Sequence, residues 1–158
     1  MTRLARRVGR HLLHTDRGVA TAESCTGGWI AKAMTDIAGS SHWFLEGFIT
    51  YGNEAKFRRL GVPRALLRSQ GAVSEAVARA MAKGALVRSG APVAVAVTGI
   101  AGPGGAVPGK PVGTVWLAWA VAHGRRIRVS AEVRHFRGDR EAVRRKTVRA
   151  ALAGILER

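Results

Sequence analysis

The sequence predicts an α/β fold with a mixed sheet covered by helices on both faces. Three observations carry this. Short apolar runs alternate with segments of helical periodicity along the 158 residues. The run PVAVAV, residues 92–97, is apolar throughout, as a strand buried on both faces must be. Two further runs, Thr114–Ala122 and Arg126–Phe136, flank His123-Gly124 and read as an antiparallel hairpin.

Element by element, residues 2–17 read as a helix with Leu4, Val8 and Leu12 on one face. Val19–Ala22 is a short strand, and Gly27–Ala38 a helix that stops before Gly39. Phe44–Tyr51 is a strand, Asn53–Leu60 a short helix, and a helical turn follows Pro63. Ser74 is placed to cap a helix that runs to about Arg88. The stretch 99–113 is a Gly/Pro loop, too short to separate domains and long enough to work. Asp139 opens a last helix with Val143, Thr147, Ala151, Leu152 and Ile155 facing inward. No linker, repeat or low-complexity segment interrupts this order, so residues 1–158 are expected to be one domain.

No apolar run approaches the length of a membrane span. The N-terminal MTRLARRVGRHLLH lacks the apolar stretch of a signal peptide, and a single cysteine cannot form an internal disulfide. A cytoplasmic protein is the expectation. Charge is the unusual feature: 26 Lys and Arg against 10 Asp and Glu give +16. The excess gathers in the first segment, around Lys56–Arg68, and in residues 125–149. Such a field attracts phosphorylated ligands or polyanions. No nucleic-acid-binding motif accompanies it, so nucleic acid is a partner only through this basic surface; a merely solvated Arg-rich surface explains it as well.

Chemistry concentrates in three stretches. AESCTGG, residues 22–28, follows a strand and precedes a helix, where α/β proteins bind ligands. Backbone N–H groups there, with Gly27 and Gly28 admitting close approach, can hold a phosphate or an oxyanion. The same residue types also merely cap helices. Ser24, Cys25 and Thr26 are all potential nucleophiles. Neighbouring side chains on an extended turn point in opposite directions, so Ser24 and Cys25 are not expected to share a cleft. A thiol near a helix N-terminus should have a lowered pKa. Thr26 is read as the helix cap. Glu23 could orient a partner or cap a backbone group.

The second stretch, TGIAGPGGAVPGKPVG from Thr98, also follows a strand. It fits neither the P-loop spacing nor the dinucleotide fingerprint. The third, ITYGNEAK, contains the only tyrosine, Tyr51, and places Lys56 about one helical turn beyond Asn53. A lysine can serve a hydroxyl nucleophile as base if burial or nearby positive charge lowers its pKa, and the surrounding arginines would push that way. Most such lysines are solvated surface residues. The five histidines are scattered, with no metal-ligand spacing, so no metal is expected.

AESCTGG, GFITYGNEAK, GAVSE, TGIAGPGG with KPVGTVW, and FRGDREAVRR stand in this order. Together they resemble the nicotinamide-nucleotide amidase family, of the CinA C-terminal domain or PncC type, from about residue 10 to the C-terminus. The resemblance implies a three-layer α/β/α sandwich with a mixed, mostly parallel sheet, usually oligomeric. It implies a metal-free amidohydrolase, without cofactor, that converts nicotinamide mononucleotide to nicotinate mononucleotide and ammonia. Ser24 would then be the nucleophile, Lys56 its base, and Tyr51 a neighbour of the pair. Thr98 would line the site. Thr26, Gly27, Gly28, Gly99 and Gly102 would bind substrate, with backbone N–H groups from Thr26 to Gly28 holding the oxyanion. Arg140 would help to hold the ribose phosphate. Gly52 stands where many members carry serine, and the N-terminal domain of the long form has no counterpart here. A catalytically silent nucleotide-binding module is the rival from another class.

Overall fold

The computed structural model describes residues 1–158. Its elements are α1 (Thr2–His14), β1 (Val19–Glu23), α2 (Trp29–Thr35), β2 (Phe44–Ile49), α3 (Asn53–Leu60), α4 (Arg64–Gln70), α5 (Glu75–Ser89), β3 (Val93–Gly99), β4 (Thr114–His123), β5 (Arg126–His135) and α6 (Arg140–Ile155), with a short 3-10 turn at Ser40–His42. Five strands form one sheet in the order β2-β1-β3-β4-β5. β1 pairs parallel with β2 and β3, while β4 pairs antiparallel with β3 and β5. Only β4 therefore runs against the other four strands. The sheet is mixed and mostly parallel, with helices on both faces.

Period-2 alternation builds two different cores. Val93, Val95 and Val97 of β3 point to one face, and Ala94 and Ala96 to the other. Leu117 and Trp119 of β4 join the valine side, and Ala118 and Ala120 the alanine side. Under α1, α2 and α6 the sheet thus offers bulky side chains, with Trp119 bonded through its indole N–H to the Ala151 carbonyl (3.1 Å). Under α5 it offers a flat alanine floor, which brings that helix close to the strands.

The sequence-derived boundaries hold to within a few residues except at α2. That helix begins at Trp29, not at Gly27, and ends at Thr35. Gly27 (φ +61°) and Gly28 (φ +95°) take left-handed conformations, so they form the turn that feeds the helix rather than its first residues. Ser74 and Asp139 cap α5 and α6 as expected, accepting from the Val77 and Ala142 N–H groups.

Topology places the site. The chain leaves β1 towards β2 on one side and later returns to β3 on the other. The carboxyl end of β1 is thus where the strand order reverses, the crevice where open α/β sheets bind ligands.

Candidate functional site

Ser24 is the first residue past β1 and is held from both sides. Its N–H donates to the Val97 carbonyl (3.1 Å), while the Glu23 carbonyl accepts from Thr50 N–H (2.8 Å). Alternation along β1 sends Glu23 towards α2, and Ser24 to the opposite face. There Lys56, from the middle of α3, places its Nζ 3.0 Å from Ser24 Oγ. The same Nζ donates to the Thr50 carbonyl (2.8 Å) and the Tyr51 carbonyl (3.2 Å).

Lys56 is 1% exposed, among the largest fully buried side chains in the protein. No carboxylate bonds to it. Burial lowers its pKa from 10.5 to about 8, opposed slightly by Cys25. The expected cause, neighbouring arginines, is corrected to desolvation. The geometry suits a neutral amine. Two N–H groups satisfy two carbonyls, and the lone pair is left for the hydroxyl proton of Ser24.

Cys25 turns the other way and joins the valine-side core at 5% exposed. Burial pushes its thiol up to about 12. The expected lowering near a helix N-terminus is overturned, because low dielectric outweighs the positive charges around it.

The pocket beside the pair has a volume of about 220 Å³. Ser24, Tyr51, Lys56, Thr98, Gly99 and Arg140 line it, together with Cys25, Ala72, Val73 and Ala101. Three strand ends and the GAVSE segment therefore meet, as three of the predicted stretches require. Thr98 Oγ1 donates to the Ala72 carbonyl (2.9 Å), fixing the segment that walls the pocket opposite β1. Arg140 donates to the Gly102 carbonyl (2.7 Å) and to the Tyr51 hydroxyl (2.8 Å). Gly102 thus contributes to the rim through Arg140 rather than to the wall. Tyr51 reaches the lysine through its carbonyl, while its phenol, on a residue 59% exposed, belongs to the Arg140 cluster. A larger groove of about 1040 Å³, beside Arg3, Arg6 and Arg10, contains no such pair.

Gly27 and Gly28 lie away from this pocket, and Thr26 adjoins it only through the peptide it shares with the lining residue Cys25. All three border a separate depression of about 580 Å³ with Trp29, Lys32 and Arg144. Gly27 N–H donates to the Ser24 carbonyl (3.1 Å) and Gly28 N–H to Glu23 Oε2 (3.1 Å), so neither is free for an oxyanion. The N–H groups of Cys25 and Thr26 donate to no other residue, although both residues are buried. Of the expected donor set Thr26–Gly28, only the Thr26 N–H is left without a bond to another residue, beside that of Cys25.

Glu23 organises the turn. Its carboxylate is fully buried and accepts from Thr26 Oγ1 (2.6 Å), Gly28 N–H (3.1 Å), Ile30 N–H (2.9 Å) and Ala31 N–H (2.8 Å). The cap of α2 is therefore supplied by Glu23, and the Thr26 hydroxyl bonds to that carboxylate rather than to the backbone. Arg144 grips the other side, donating to the Cys25 carbonyl (3.1 Å) and the Thr26 carbonyl (2.9 Å). Sequence reasoning missed Arg144. The only trace was its place in FRGDREAVRR, one helical turn beyond Arg140.

The class defined is an α/β protein with a buried serine–lysine pair in a small pocket at the carboxyl edge of its sheet. The family model described as "CinA C-terminal domain" matches residues 1–158. "Nicotinamide-nucleotide amidohydrolase PncC" of Pseudomonas putida is 57% identical over 157 residues, covering 99% of this chain and 96% of that protein. The protein of the same name from Escherichia coli K12 is 51% identical over 152 residues, 96% and 90% of the two chains. A "CinA-like protein" of Akkermansia muciniphila is 54% identical over 147 residues, but the match spans only 35% of its length. The crystal structure of a competence/damage inducible protein from Agrobacterium tumefaciens superposes with a TM-score of 0.93 at 48% identity, covering 99% of this chain and 95% of that one. The chain belongs to the CinA C-terminal domain family.

Proposed function

We propose that the chain is an amidohydrolase that converts nicotinamide mononucleotide and water to nicotinate mononucleotide and ammonia, with Ser24 as nucleophile and Lys56 as base. The 3.0 Å contact between a buried lysine amine without a carboxylate partner and the hydroxyl at the β1 turn carries this reading. The substrate follows from the names of the near full-length relatives. The neutral amine takes the Ser24 proton as Oγ attacks the carboxamide carbon. The oxyanion rests on the Cys25 and Thr26 N–H groups. The Lys56 ammonium then gives its proton to the departing nitrogen, and ammonia leaves an acyl-serine. Water, deprotonated by the same amine, attacks the ester and releases the acid and free Ser24. The pocket of about 220 Å³ suits a pyridine carboxamide, with ribose and phosphate reaching outward past Arg140.

Ammonia release from nicotinamide mononucleotide tests the substrate. Ser24→Ala should remove nearly all turnover, and Cys25→Ala should keep most of it. A folded Cys25→Ala protein that is dead beside an active Ser24→Ala would reassign the nucleophile to the thiol. A wild-type protein that binds the nucleotide but releases no ammonia would be a silent binding module.

A further inference from the structure

We propose that Arg144 is a positioning residue for the oxyanion site: from α6 it sets the Cys25–Thr26 peptide so that the Thr26 N–H, beside the Cys25 N–H oriented by Gly27, is held open for the reacting oxygen. This rests on the serine mechanism above, not on the identity of the amide. In a trans peptide the carbonyl and the following N–H point in opposite directions. Arg144 Nε holds the Cys25 carbonyl, so the Thr26 N–H of that same peptide is aimed away from the guanidinium. The Ser24 carbonyl accepts from Gly27, which aims the Cys25 N–H away from the glycine side of the turn. Two successive N–H groups directly after a nucleophile, neither donating to another residue, are the donor arrangement a developing oxyanion requires.

Arg144 is suited to this role. It forms no ion pair with any carboxylate. Its planar fork instead reaches two successive main-chain carbonyls through two separate nitrogens, Nε and a terminal N–H group, held at a fixed spacing. A cation at the Cys25 carbonyl also polarises that peptide, which strengthens its Thr26 N–H as a donor. The guanidinium stacks 5.3 Å from the Trp29 ring, which holds it in place. Arg144 does not line the catalytic pocket, so it acts on the reaction only through the turn.

The outer depression of about 580 Å³ supplies the test. Truncating Arg144 leaves a guanidinium-sized gap that opens into it. Two rates are measured: ammonia release from nicotinamide mononucleotide, and phosphonylation of Ser24 by a small fluorophosphonate, followed by mass spectrometry. Arg144→Ala should lower kcat and the phosphonylation rate at least tenfold with KM little changed. Low-millimolar guanidinium, but not potassium at equal ionic strength, should restore both. Should Arg144→Ala not stay folded, Arg144→Lys takes its place and should slow phosphonylation while its melting curve stays intact. An unchanged phosphonylation rate, a rise in KM alone, or a folded Arg144→Ala protein that guanidinium does not rescue overturns the proposal. A wild-type protein inert towards the mononucleotide, yet phosphonylated in an Arg144-dependent way, would sink the substrate and leave the role of Arg144 standing.

Discussion

Lys56 is a long cationic side chain with no anion beside it and almost no water around it. Folding therefore works against its proton. Unfolded, the amine keeps the proton to about 10.5; folded, it gives it up at about 8. Below pH 8 the full cost of the buried charge is present in the wild type. Between those two values the unfolded chain binds more protons, so stability rises with pH, by at most ~3 kcal/mol. Lys56→Met lacks this window. Its stability relative to wild type should be most favourable below pH 8 and decline towards pH 10.5, as measured by denaturant unfolding across pH, while its turnover is abolished. Parallel unfolding curves for the two proteins would show that the amine titrates normally. In turnover itself, kcat/KM should climb about tenfold per pH unit below 8 and level off above it. Glu23 carries the opposite risk. Removing its carboxylate strands a hydroxyl and three N–H groups, so Glu23→Ala should lose about 3 kcal/mol or more of stability. At this scale the sequence revealed residue types and order, enough to nominate Ser24, Lys56 and Thr98. It did not reveal depth. Whether Lys56 is solvated or buried depends on α3 lying against the sheet, and no local pattern around NEAK records that.

Among the elements, α3 and α5 meet at Gly84. A Cβ there would fall on the Leu60 carbonyl oxygen at the end of α3. α3 is the helix that carries Lys56, so this contact sets how far the amine reaches. Gly84→Ala should destabilise the fold by about 2 kcal/mol despite alanine's better helix propensity. It should also slow turnover by displacing Lys56 from Ser24. A variant with wild-type melting and wild-type kcat would show that α3 is free to shift without consequence. The elements were legible because their signals are local: the Val/Ala run marked β3, and Ser74 and Asp139 marked two helix starts. The start of α2 was misplaced because its cap comes from Glu23, upstream of the turn. A capping residue five to eight positions before the N–H groups it satisfies lies outside any short capping pattern.

Across the whole molecule, ten carboxylates cannot neutralise 26 cations, and every carboxylate found in an ion pair is on the surface. Such pairs add little to stability. Under the proposed function the unpaired excess would act instead on encounter with an anionic substrate. Raising ionic strength should lower kcat/KM for nicotinamide mononucleotide and leave that for the uncharged-tailed riboside far less affected; equal salt sensitivity would remove charge steering from the account. Net charge was plain in the sequence, but its relation to the pocket was not, because Arg140, which lines it, and Arg144, which grips the turn beside it, come from the far end of the chain. That separation has a consequence in time. During synthesis Ser24 emerges within the first thirty residues and Lys56 within the first sixty, yet both clasps on their surroundings are translated after residue 139. A nascent chain lacking α6 also leaves the valine side of its sheet bare of Val143, Val148, Ala151, Leu152 and Ile155. A ribosome-bound chain stalled before that helix should hold serine and lysine and still fail to react with a fluorophosphonate, and under the proposed function Ser24 would be armed only as translation finishes.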